Sequence, residues 1–159
     1  MAKVNLLEGK KILIVDDEPD ILETIEEILS MCDVVKASTF DEAKDLLKKQ
    51  HFDIAILDIM GVDGYKLLEI ANERKVITVM LTANAFSLDD TVKSYKNGAA
   101  SYVPKDEMAN IVTVLNDILE AKGKGQNLWW RWLERFGSYY DRQFGPDWKK
   151  KDGEFWNEF

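Results

Sequence analysis

The chain is poor in the residues that most readily settle a protein's class. It holds one cysteine, one histidine and three prolines in 159 residues. A lone Cys32 cannot form an internal disulfide, which agrees with a reducing compartment, and its small size suits packing. His51, the single imidazole, falls at the end of a predicted helix and reads as a surface residue rather than a phosphohistidine. No apolar run is long enough to span a bilayer, and Met1–Lys10 lacks the apolar core of a signal peptide, so a cytoplasmic protein is expected. Basic charge is also scarce. Residues 1–122 carry 14 Lys+Arg against 23 Asp+Glu, a net of −9, whereas residues 123–159 carry 7 against 6, a net of +1. An acidic main domain argues against nucleic acid as a direct ligand and suits a metal cation or basic protein surfaces.

The sequence does contain a regular alternation. With 46% hydrophobic and 31% charged residues, the chain reads as globular, with room for one domain and an appendage. Lys11–Val15, Val34-Val35, Ile54–Leu57, Val76–Leu81 and Ala99–Val103 are β-rich apolar runs. Between and after them come helical spacings: Pro19 to Met31, a helix after the N-cap Thr39, one through Tyr65–Ala71, one from Phe86 to Asn97 closed by Gly98, and one through Ile111–Leu119. Five such βα units predict a doubly wound, five-stranded parallel sheet with helices on both faces.

Five side chains then fall where apolar runs turn polar. Asp16 and Asp17 follow the first run, Asp58 the third, Thr82 the fourth and Lys105 the fifth. In parallel strands these positions share the carboxyl edge of the sheet, where open α/β sheets bind ligands. Each aspartate alone would pass for a helix cap. Together, three carboxylates, a hydroxyl and an ammonium suit Mg²⁺ binding and the handling of a phosphoryl group on an aspartate. Met60 and Asn84 lie two residues beyond Asp58 and Thr82, and are expected to flank the route of an attacking water. An apolar Met60 should alter the lifetime of the phosphoryl group, unless it simply packs.

Asp16-Asp17, Leu57-Asp58-Ile59-Met60, Leu81-Thr82-Ala83 and Tyr102-Val103-Pro104-Lys105 occur in the order and spacing of a known pattern. Over roughly residues 9–122 the chain resembles the receiver domain of two-component response regulators. The resemblance implies a flavodoxin-like fold and phosphotransfer to Asp58 from a sensor histidine kinase or a histidine phosphotransfer protein. It implies Mg²⁺ on Asp17, Asp58 and the Met60 backbone carbonyl, with Asp16 acting through water. It also implies a switch in which Thr82 and Tyr102 reposition and signal to the face made by the fourth helix, fifth strand and fifth helix. Two departures stand out. The family reads Lys-Pro, with a cis bond, where this chain has Pro104 before Lys105 and Asp106 after it. A cis bond to a non-proline costs about 3 kcal/mol, so Lys105-Asp106 is trans or held cis by its surroundings. The loop Ile59–Gly64 is short and lacks the usual proline, and Gly61 and Gly64 are expected to absorb the tighter turn.

Residues 123–126 read as a linker and 127–159 as an aromatic-rich tail. All five tryptophans and 11 of the 17 aromatics lie beyond Lys122. From Asn127 to Gly145-Pro146, an amphipathic helix is expected to carry Trp129, Trp132, Leu133, Phe136, Tyr140 and Phe144 on one stripe. That stripe either packs on the main domain or binds a partner, being a downstream protein or a second copy. Neither nucleic acid nor a membrane fits its mixed charges. The function expected is a stand-alone, non-enzymatic response regulator signalling by phosphorylation-dependent protein contact. The alternatives are a phosphorelay intermediate, a non-phosphorylated pseudo-receiver scaffold, and an Asp-nucleophile phosphohydrolase. The last is disfavoured because Met60 stands where a second acid/base carboxylate belongs.

Overall fold

The computed structural model describes residues 5–83 and 88–125 and, in the tail, positions 129, 132, 136–138, 140–142 and 145. Strands β1 (Lys11–Val15), β2 (Asp33–Ala37), β3 (Ile54–Asp58), β4 (Ile77–Thr82) and β5 (Ser101–Pro104) alternate with helices α1 (Pro19–Ile28), α2 (Phe40–Lys49), α3 (Gly64–Glu73), α4 (Leu88–Lys96) and α5 (Ile111–Gly123). A 3₁₀ segment, Lys105–Asn110, leads from β5 into α5. The sheet is wholly parallel, in the order β2-β1-β3-β4-β5.

Local chemistry explains these elements. The central strands β1 and β3 are buried on both faces, as their unbroken apolar runs require. β2 runs two residues further at its carboxyl end than Val34-Val35 suggests, and starts one residue earlier. It is an edge strand, so Asp33 and Lys36 sit in it with access to water. Thr39 caps α2 by accepting the Glu42 N–H at 3.2 Å, while Glu42 accepts from Ser38 N–H at 3.2 Å. Pro19 opens α1 at its first turn. That helix ends at Ile28 rather than Met31, because the chain turns at Leu29, whose carbonyl accepts the Cys32 N–H. Gly98, at φ 90°, closes the connection after α4. The predicted start of that helix at Phe86 lies outside the described residues.

The strand order reverses between β1 and β3, which opens a crevice at their carboxyl ends. Register fixes what surrounds it: Val15 lies opposite Leu57, Asp58 opposite Leu81, and Thr82 opposite Pro104. Asp16, Asp58, Thr82 and Lys105 therefore emerge along one edge.

Candidate functional site

Asp16 is fully buried directly after β1. Its Oδ1 accepts the Glu18 N–H at 2.9 Å. Its Oδ2 has no well-aligned hydrogen bond among the described residues, and is held by the Lys105 ammonium at 2.9 Å. Burial pushes the Asp16 carboxyl above its ordinary range and the Asp58 charge adds to that, against the lowering effect of the Glu18 N–H and Lys105.

Lys105 is the hub. Its side chain, 11% exposed, reaches Asp16 and Glu18 at 2.9 Å each and Asp58 at 3.5 Å. Burial alone would lower this ammonium, but the bonds to Glu18 and Asp16 and the nearby carboxylate charges together push it up. The Pro104-Lys105-Asp106 sequence therefore still delivers the amine to Asp58, and every described peptide bond is trans. Pro104, extended at φ −62° and ψ 143°, aims the chain into the 3₁₀ turn that places Lys105.

The short loop after Asp58 works differently from expectation. Gly61 and Gly64 do not supply a left-handed turn; Asp63 does, at φ 53° and ψ 58°, a conformation that aspartate tolerates better than most residues. The glycines supply room instead. A Cβ on Gly61 would strike the Asp17 carboxylate, and one on Gly64 would strike the Asp58 carbonyl. Gly61 also donates its N–H to Asp58 Oδ2 at 3.1 Å. The tight loop thus lies directly against the Asp17 and Asp58 carboxylates. Met60, beside it, is 80% exposed and does not pack. Asn84, its expected counterpart, lies outside the described residues.

These donors fit a hard divalent cation. Carboxylate oxygens of Asp16, Asp17 and Glu18 lie within 4.8 Å of one another, and Lys105 joins Asp58 to them. The buried Asp16 Oδ2, met only by the Lys105 ammonium among the described residues, and the crowding of Gly61 on Asp17 mark a cradle of oxygen ligands, the preference of Mg²⁺. Sequence reasoning had named Asp16, Asp17, Asp58 and the Met60 carbonyl, and had missed Glu18. The third consecutive acid in Asp16-Asp17-Glu18 was the signal.

Thr82 is buried at the end of β4, and Tyr102 is completely buried in β5 opposite Met80. The Tyr102 carbonyl accepts a hydrogen bond from the tail. Trp132 Nε1–H donates to it at 2.7 Å, Trp129 Nε1–H donates to Ala99 O at 2.8 Å, and the hydroxyls of Tyr140 and Thr91 pair at 2.9 Å. Trp129, Trp132, Phe136 and Tyr140 are all buried, and Trp132 meets the other three in tilted or edge-on contacts, with ring centroids 5.1 to 6.0 Å apart. Of the two readings of the stripe, these four residues follow the first, being occupied by contacts within the chain. Leu133 and Phe144 lie outside the described residues. The expected linker at 123–126 is partly helical, since α5 continues through Gly123.

Among the described residues no helix is long and apolar enough to cross a membrane. Residues 12–116 match the family model of the response regulator receiver domain. The chain is similar to the "Probable transcriptional regulator ycf27" of Porphyridium aerugineum, at 33% identity over 72% of this chain and 52% of that protein. It is similar also to the "Heme response regulator HssR" of Staphylococcus aureus, at 37% identity over 58% of this chain and 43% of that protein. The chain thus spans about half the length of these relatives or less. A CheY-like receiver domain protein from Methanospirillum hungatei superposes with a TM-score of 0.66 at 30% identity, over 74% of this chain and 98% of that one. The BeF3-activated receiver domain of Thermotoga maritima DrrB does so with a TM-score of 0.62 at 26% identity, over 70% and 98%. With this match, this fold and an acidic edge of this composition, the chain belongs to the response regulator receiver domain family.

Proposed function

We propose that this receiver domain accepts a phosphoryl group on Asp58 from the phosphohistidine of a sensor histidine kinase, or of a histidine phosphotransfer protein, in the cytoplasm. The observation that carries the reading is Lys105, an ammonium shared between Asp58 and Asp16 at the topological switch of the sheet. An Asp58 oxygen attacks phosphorus and the P–N bond to the donor imidazole breaks. The imidazole keeps the bonding electron pair and takes a proton from solvent. Lys105 leaves its carboxylate partners to meet the equatorial phosphoryl oxygens, and the Gly61 N–H holds the carboxylate in place. Mg²⁺ held by Asp16, Asp17 and Asp58, with Glu18 beside them, would neutralise charge on the transferring group.

The reading is of a signalling protein, not an enzyme with turnover. Met60 offers no group to orient or deprotonate water, and its exposure leaves hydrolysis to solvent. Output is then a phosphorylation-dependent contact with a downstream protein or a second copy of the chain. Incubation with Mg²⁺ and acetyl phosphate should add one phosphoryl group by intact mass. The gain should vanish on chelation and be absent in Asp58→Asn, whose circular dichroism should match the native chain. A native chain that gains nothing from acetyl phosphate or from a phosphorylated kinase would be a pseudo-receiver scaffold.

A further inference from the structure

The acidic site lies at the carboxyl edge of the sheet, and the opposite edge carries a groove of its own. Two adjoining cavities, of about 510 and 320 Å³, lie at the amino ends of the strands and share Lys75, Ile77 and Lys122 as a common wall. Both volumes fall within the range of small-molecule sites.

The two halves differ in chemistry. The larger is mostly apolar. Tyr95 of α4 and Trp129 meet edge-on there, with centroids 5.4 Å apart, and Gly98, Ala99 and Ala100, leading into β5, line it without bulky side chains. A flat ring system fits against such an aromatic corner. The Trp129 indole N–H is already engaged by the Ala99 carbonyl at 2.8 Å, so this half offers contact area more than hydrogen bonds. The smaller half is basic. Lys10, just before β1, and His51, just before β3, join Lys75 and Lys122 around it. The one carboxylate among its lining residues, Asp53, faces the chain itself and accepts the Lys11 N–H at 2.9 Å.

These lysines are placed against the run of the molecule, whose net charge is −8. The ion pairs of the described residues engage Lys36, Lys49, Lys66, Lys105 and Lys124. Lys10, Lys75 and Lys122 have no carboxylate partner among the described residues. Lys75 is also left-handed, at φ 60°, directly after the Arg74 cap of α3, a position that glycine occupies with less strain. The chain keeps an ammonium at the groove where a bare backbone would sit more easily, the pattern of a strained residue retained for a ligand.

We propose that this amino-edge groove binds a small amphiphilic organic anion. Its flat apolar body lies against Tyr95 and Trp129, and its carboxylate, sulfonate or phosphate meets Lys75 and Lys122, with Lys10 further along. Charge complementarity selects an anion, and the aromatic corner selects an organic body over a bare inorganic ion. Because Lys75 and Lys122 line both halves, one ligand spans the apolar and the basic part together. The groove lies at the other end of the strands from Asp58, so this binding requires neither Mg²⁺ nor phosphotransfer, and it stands or falls apart from the function proposed above.

The full chain, without Mg²⁺ or a phosphoryl donor, would be titrated with anilinonaphthalene sulfonate by calorimetry, and amide chemical shifts would locate the site. One-to-one binding is expected, with shifts confined to residues 75–78, 98–100 and 122–125. Lys75→Gly combined with Lys122→Gln should weaken binding about tenfold, the loss of two exposed charge contacts. The melting temperature of that variant should not fall, since glycine relieves the left-handed backbone. Lys36→Gln, which removes the same charge on the far edge strand β2, should leave binding unchanged. Phenylnaphthylamine, which lacks the sulfonate, should bind more weakly, and inorganic sulfate should not compete at equal concentration. Undiminished binding by the double variant, equal binding of the uncharged ring system, shifts spread over the surface, or no binding at all would each overturn the proposal. A glutamate-rich peptide that binds more tightly than the sulfonate, with the same shifts, would overturn it in favour of an acidic protein partner.

Discussion

Two buried polar arrangements, one at the carboxyl ends of β1 and β3 and the other on β5 and α4, are built on opposite principles. At the carboxyl edge, Asp16 and Asp58 are buried beside one another with a single ammonium between them, and an Asp16 oxygen lacks a well-aligned hydrogen bond. At the tail seam, the indole N–H of Trp129, the indole N–H of Trp132 and the hydroxyl of Tyr140 each have a partner within 2.9 Å. The first arrangement keeps charge in excess, which costs stability but leaves oxygen ligands ready for a cation and a phosphoryl group. The second leaves no polar atom of these anchors wanting and gains from aromatic burial. One region is organised for chemistry, the other for adhesion.

The largest expected effect tests adhesion. Trp132→Ala should remove about 3 kcal/mol of tail docking, as truncating a buried aromatic does, and red-shift the remaining tryptophans. The receiver's own unfolding, followed by tyrosine absorbance or far-ultraviolet dichroism, should move much less. A receiver that unfolds together with the tail would merge the two regions into one cooperative unit.

A smaller effect tests the chemistry. Gly61→Ala forces a methyl into the Asp17 carboxylate, so Mg²⁺ affinity by calorimetry should fall about tenfold, as it does when supports of metal ligands are disturbed. Tail emission should not change. Unaltered Mg²⁺ affinity would show that Asp17 has freedom to move aside and that the loop does not shape the cradle.

The smallest effect concerns the stored charge. Burial raises the Asp16 carboxyl above its ordinary 3.8. A carboxyl raised in the folded state favours folding when protonated, so its contribution grows as pH falls through the raised value and is lost as pH rises through it. In metal-free protein, Asp16→Asn should therefore be more stable than the native chain to urea at pH 7, with the advantage shrinking as pH falls toward the raised value of the carboxyl. A native chain more stable than Asp16→Asn at pH 7 would mean that the Lys105 ion pair outweighs the cost of burial.

Much of this was legible before the structure. Runs such as Lys11–Val15 and Ile54–Leu57 announce buried parallel strands because a strand covered on both faces has no polar side to display. The positions of Asp16, Asp58, Thr82 and Lys105 at the ends of such runs then place them on one edge by connectivity alone. Other features were not legible. Glu18 looked like one more acid at a helix start, since its bond to Lys105 spans 87 positions of sequence. The glycines of the short loop looked like turn residues, whereas the turn belongs to Asp63 and the glycines make space for Asp17 and for the Asp58 backbone. Nor did the stripe Trp129, Trp132, Phe136 and Tyr140 declare its own partner. Periodicity reports that a helix has an apolar face, and it is silent on which surface that face will meet.

The sequence by itself determined the alternation of strands and helices, the parallel sheet and the identity of the reacting edge. Those follow from local periodicity and from the few ways that short βα units connect. Only the tertiary structure decided that Lys105 is shared among three carboxylates and that Trp129, Trp132 and Tyr140 lie on α4 and β5. Both are contacts between residues far apart in the chain, chosen by shape, burial and charge balance in three dimensions.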